Sequence, residues 1–170
     1  MLDVKKFWLL PLTLLVTGSL AVSSSQESKG LLTQKNISLD MAMAITNAAL
    51  AACRANGSHI GVSVLNRTGA LKMFADDDGT NLATLDVSRR KAYTALLYGS
   101  TSAEVGKMYA APRNGVAPPI DGIYPLGGGV AIKAGDEVIG AVGVAGATGG
   151  SPVDEFCAKA GIAAVAERLK

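Results

Sequence analysis

The sequence predicts an α+β fold, an antiparallel sheet flanked by helices, and three observations carry that prediction. Two β-rich hairpins are legible, one near residues 60–75 and one near 130–144. Helical spacing of apolar residues flanks both of them. The glycine-rich stretch lies in and around strands, not between a strand and a helix, which argues against a parallel nucleotide-binding sheet. At 170 residues the chain is one domain's worth, long enough for a real core.

Ser38 is the expected N-cap of a first helix from Leu39 to about Asn56, with Gly57 as its stop. Ala42, Ile45, Ala49, Ala52 and Cys53 share one face of it. Ile60 to Leu65 and Ala70 to Ala75 form the first hairpin about the turn Asn66-Arg67-Thr68-Gly69. Asp76-Asp77-Asp78-Gly79 ends it as a solvated turn that lacks calcium-loop spacing. A second helix is expected over Ala83–Tyr98 and a short third over Ser102–Tyr109. A loop rich in Pro and Gly follows from Pro112 to Pro125, with room for a short extra strand near Ile123-Tyr124.

The second hairpin joins Val130–Lys133 to Val138–Val144 through Ala134-Gly135-Asp136-Glu137. Ser151, Pro152 and Asp154 supply a cap, a first-turn proline and an acidic residue for a last helix to Leu169. The order is α-β-β-α-α-β-β-α. Glycine inside a strand marks a bulge, a bend, or close approach by a ligand or another backbone. Strands this rich in Gly and Ala present flat faces, so close packing against them is expected, continuing across a subunit interface.

Residues 1–21 read as a signal peptide: Lys5 and Lys6, an apolar run from Phe7 to Val16, then Ser19-Leu20-Ala21 for cleavage. Residues 22–36 read as a polar tether and 37–170 as a single domain. Export to the periplasm or medium is expected, with no membrane contact after cleavage. The net charge of +2 gives no electrostatic case for nucleic acid. Cys53 and Cys157 leave two readings open. An oxidising compartment permits a disulfide, but each also falls on an apolar stripe, where free cysteine acts as a small hydrophobe.

The candidate chemistry is sparse. His59 is the one histidine, beside a helix-to-strand turn, and no serine stands in a nucleophile-elbow context. Arg89, Arg90 and Lys91 are consecutive on a helix, about 100° apart, so one of them is expected to leave the solvent side. With Tyr93, Met108, Tyr109, Arg113 and Tyr124 they suggest an amphiphilic pocket with apolar walls and a cationic rim.

The segment Val64-Leu65-Asn66-Arg67-Thr68-Gly69-Ala70-Leu71, with Phe74-Ala75 and Asp78-Gly79, resembles the GlcG/HbpS family, which includes the PduO C-terminal domain. So do Arg90-Lys91-Ala92-Tyr93-Thr94-Ala95 and the run from Gly128 to Gly146. The resemblance implies a mainly five-stranded antiparallel sheet, a profilin-like sandwich, and assembly into homo-oligomers. It also implies heme as a possible cofactor, with links to heme degradation in some members and to glycolate or diol utilisation in others.

The chain departs from the family pattern at three places. Ala70 stands where many relatives have His, Asn66 where an acidic residue is common, and Gly127 where proline is usual. The iron ligand would therefore be His59, a Tyr, a Met, a Cys or a weak oxygen donor.

On this basis the expectation is an exported, oligomeric small-ligand protein that binds heme or a related tetrapyrrole. Arg89, Arg90, Lys91 and Arg113 are the candidates for the propionates, Tyr93, Met108, Tyr109 and the backbone of Gly127, Gly128 and Gly129 for packing, and His59 for iron. One alternative is an accessory protein or enzyme for small 2-hydroxy acids or aldehydes, although no catalytic constellation is recognisable. Another is a structural assembly without a small ligand.

Overall fold

The computed structural model describes residues 30–111 and 120–170. The chain divides into two units, residues 1–33 and 34–170. Of the first, residues 30–33 are described and carry no helix or strand. The expected signal segment lies outside the described residues.

The second unit begins with α1 (Leu39–Ala55), where the Ser38 hydroxyl accepts the Met41 amide at 3.2 Å. Next come β1 (Gly61–Asn66) and β2 (Leu71–Asp76). The side chain of Asn66 organises their turn, accepting the amides of Thr68 and Ala70. Then α2 (Thr84–Tyr98) runs to Gly99, whose left-handed φ of 61° ends it. Thr101 and Glu104 close a reciprocal capping box on α3 (Ser102–Ala110). The chain continues through β3 (Gly129–Ala134), β4 (Glu137–Ala145) and α4 (Ser151–Ala163), then a 3-10 turn over Ala166–Leu169. The expected element order holds.

The last helix differs from expectation at both ends. Gly150, not Ser151, is its N-cap, and Asp154 turns inward instead of capping. The helix stops at Ala163 because Val165 leaves helical geometry to enter the core, where it is 2% exposed.

Among the described residues the sheet has four antiparallel strands, in the order β2-β1-β4-β3. The implied fifth strand is absent from it, for two reasons. The outer edge of β3 is taken by the α2–α3 connection, through a bridge from Thr101 to Val130 and the Ala131 amide on the Ser100 carbonyl. The Tyr124 amide goes instead to the Thr94 hydroxyl at 2.7 Å, and Pro125 has no amide to offer a ladder.

The two faces of the sheet are built differently. One face buries Val62, Val64, Ile132, Val142 and Val144 against α1 and α4. Cys53 and Cys157 are joined there by a disulfide, which resolves the reading left open by the sequence. On the other face α2 lies on glycine, serine and alanine together with Leu65. A Cβ added at Gly143 would stand 2.0 Å from the Ser88 carbonyl oxygen, and one at Gly129 2.0 Å from that of Lys91. Ser63 and Ser88 meet hydroxyl to hydroxyl at 2.7 Å. The glycines of the second hairpin thus admit a helix backbone.

Candidate functional site

The three consecutive cations of α2 separate as their helical phase requires. Arg89 and Arg90 stay near the surface and share Asp86, at 3.5 and 2.8 Å. Their guanidiniums hold the Asp86 carboxyl below its ordinary range, the Arg90 contact contributing most. Lys91 turns inward. Its amine lies 2.7 Å from Asp154 Oδ2, with both side chains about 95% buried. Asp154 Oδ1 accepts the Ala147 amide at 3.0 Å, so both carboxylate oxygens are engaged.

Gly128 closes over this pair, flanked by Gly129 on the Lys91 carbonyl and Gly127 against Ser151 and Glu155. Gly128 has φ of 125°, and a Cβ there would stand 3.0 Å from Lys91 Cδ and 2.9 Å from Asp154 Cβ. The Ser102 hydroxyl fixes the loop, donating to the Leu126 carbonyl and accepting the Gly129 amide. The loop and Lys91 therefore belong together, but as a sealed polar joint between α2, α4 and the sheet.

A second group assembles along the exposed side of α2. Arg89, Arg90, Tyr93, Leu96 and Leu97 follow at the intervals of one helical face. They span about 12 Å at 1.5 Å per residue. The Tyr93 ring lies between Gly69 and Gly122, where added Cβ atoms would meet its opposite edges at 3.9 and 3.7 Å. A groove of about 350 Å³ opens between Tyr93, Leu96 and Leu97, the turn residues Arg67 and Gly69, and Val138. Arg67 is ion-paired with Glu137 and also donates to the Val138 carbonyl at 3.2 Å.

Tyr109 is joined to Tyr98, hydroxyl to hydroxyl at 2.7 Å, with the rings edge to face. Met108 is exposed on the same short helix. Arg113 lies outside the described residues.

His59 stands apart from these groups, at the opposite end of the sheet from the Arg67 turn. The Asp76-Asp77-Asp78 run is not simply a solvated turn, because Asp77 is only 6% exposed. Arg54 donates to it twice, at 3.0 and 2.8 Å, and His59 Nδ1 sits 3.2 Å from its Oδ2. The Arg54 hydrogen bond is the main cause of a carboxyl pKa lowered to about 2. No cluster of three or more His, Cys, Asp or Glu among the described residues forms a metal centre. Arg54, Asp77, Asp154 and Glu137 were not foreseen as functional partners, since each pairs with a residue remote in sequence.

The family profile described as "Haem degrading protein HbpS-like" matches residues 37–163, most of the chain. The chain belongs to the HbpS-like family. Among solved structures, HbpS is 29% identical with a TM-score of 0.74, covering 80% of this chain and 94% of that one. A double mutant of Streptomyces reticuli HbpS gives the same identity and score, over 84% and 96% of the two chains. PduOC, solved as a heme complex, is 22% identical with a TM-score of 0.68, covering 76% and 94%, and shares the fold. Comparison with curated proteins gives no match. Within this HbpS-like domain, no helix among the described residues is long and apolar enough to cross a membrane.

Proposed function

We propose that this protein is an exported, self-associating binder of heme or a related tetrapyrrole, held along the exposed face of α2. The observation that carries the reading is membership of the HbpS-like family across residues 37–163. The chemistry of the α2 face fits such a ligand. Arg89 and Arg90 offer guanidiniums for the propionates at one end. Tyr93, Leu96 and Leu97 offer an apolar bed at the other. A groove of about 350 Å³ is at the small end for ligand pockets, so it buries only part of a macrocycle. A second copy covering the remainder supplies a physical reason for self-association. Tyr109 and Met108 on α3 are candidates for packing against the ring, and Arg113 is by its charge a further candidate for a propionate.

Lys91 reaches a propionate only if the glycine loop lifts, since its amine is sealed against Asp154. In this reading its role is to hold the 127–129 loop and α2 together. The buried disulfide supports the exported location, because such bonds persist in oxidising compartments.

Hemin titration of protein lacking residues 1–21, with its size measured in solution, tests the proposal. A saturable Soret shift with fixed stoichiometry is expected, and Arg89→Ala/Arg90→Ala weakens it by up to about tenfold. Absence of any saturable shift refutes it.

A further inference from the structure

Helix α4 carries an apolar stripe on the side away from the core. Pro152, Phe156 and Ala163 follow at the intervals of one helical face, with Lys159 between the last two, and all four are exposed. The outer face of a surface helix is normally polar. Phe156 nevertheless stands 55% exposed there, and Leu126, next to Gly127, is 52% exposed. A groove of about 460 Å³ opens beside Phe156, between Ala103 of α3, Gly127, and Ser151 and Pro152 at the start of α4. It is larger than the groove on α2.

The charges around this groove are balanced. Glu155 is paired with Lys159 at 2.6 Å, and Lys107 and Lys159 both lie within electrostatic reach of Glu104. Two carboxylates and two ammoniums cancel, whereas the α2 face sets Arg89 and Arg90 against Asp86 alone. An anionic ligand is therefore drawn to α2 and gains nothing here. An apolar patch with a neutral rim of both signs fits a partner that presents the same charges in the opposite order.

A second α4 supplies that order. At 1.5 Å per residue, Glu155 and Lys159 lie about 3 Å to either side of the level of Cys157. A two-fold axis crossing the helix at that level sets two copies of α4 antiparallel. Glu155 then stands opposite Lys159 of the partner subunit, and Lys159 opposite Glu155 of the partner subunit. Phe156 is one residue from the axis, so the two rings meet there and each covers the other copy's groove.

We propose that the outer face of α4, centred on Phe156, is an isologous contact through which two copies of this chain associate. The contact rests on the self-association of the reading above, gives it a surface, and needs no tetrapyrrole. Because α4 and α2 pack on opposite faces of the sheet, it leaves the α2 face open to ligand.

Sedimentation velocity of the hemin-free protein lacking residues 1–21 is expected to show dimers in exchange with monomers. Phe156→Ala, a truncation at an exposed position, should raise the dissociation constant at least about tenfold. The charges give a sharper check. Glu155→Lys and Lys159→Glu each place like charges across the axis, and each protein alone should be monomeric, its fold verified by circular dichroism. An equal mixture of the two should regain dimers, because every Lys then faces a Glu. Repulsion within one helix cannot produce that recovery, since each chain in the mixture keeps its own like-charged pair.

Dimers that survive Phe156→Ala and both charge variants, or folded variants that stay monomeric when mixed, overturn this contact and leave the hemin titration untouched. A parent protein that is monomeric at every attainable concentration overturns the contact and self-association together, again without bearing on hemin. Dimers that show the mixing behaviour but no saturable Soret shift refute the tetrapyrrole while the contact stands.

Discussion

Asp77 is the clearest electrostatic commitment made by a single residue in this chain. Its folded carboxyl lies near 2, below the ordinary 3.8, so ionisation is favoured by folding. The stabilisation is complete above the ordinary value and is lost as pH falls from about 4 towards 2. Acid unfolding should therefore retain a component in that window that Asp77→Asn removes, measured by denaturant midpoints across pH.

Lys91 and Asp154 make the opposite kind of commitment, a pair with little access to water. Lys91→Met leaves a buried carboxylate without its cation and is expected to cost about 3–5 kcal/mol. Lys91→Met/Asp154→Asn should recover much of this, since Asn keeps an acceptor for the Ala147 amide. If single and double variants unfold at the same denaturant concentration, the pair is not the source of the loss. The inward turn of one cation was foreseeable from helical phase. Its partner was not, because Asp154 lies 63 residues away in a position that reads locally as a helix-start acid.

At the scale of elements, strands and helices were legible because the signals that delimit them are local. Ser38 caps α1, Asn66 builds the first turn, and Gly99 ends α2. The fifth strand was not decidable locally, since it depends on whether another segment already occupies the edge of β3. The glycines gave a correct expectation of close packing but did not identify the packing partner. That partner is α2, and the contact is stringent. Gly143→Ala would place a methyl carbon 2.0 Å from the Ser88 carbonyl, so α2 must shift. We expect a loss at or above the top of the roughly 1–3 kcal/mol range for overpacking, read by urea denaturation. Wild-type stability in that variant would mean that the helix does not rest on this strand.

For the whole molecule, the covalent link between α1 and α4 closes a 104-residue separation. In the chain-entropy picture a loop of this length is worth roughly 4–5 kcal/mol. Cys53→Ala/Cys157→Ala should lower the unfolding free energy by about that amount, and reductant should reproduce the effect only in the parent protein. Two apolar stripes 104 residues apart were compatible with either chemistry, and the packing of α1 on α4 decided between them. The candidate site was less legible than the fold for the same reason. Its residue types were visible in the chain, while sorting them into a sealed joint, a surface strip and an oriented imidazole needed coordinates.

Helix α2 meets strand main chain directly at Gly129 and Gly143, where an added Cβ would stand 2.0 Å from its carbonyl oxygens. Such a seat leaves no slack for sliding or rolling, because either motion drives carbonyl oxygens into the strands. A molecule captured on the outer side of α2 would meet a rigid anvil, and any response to it would arise in the segments around that plate, not through the plate itself.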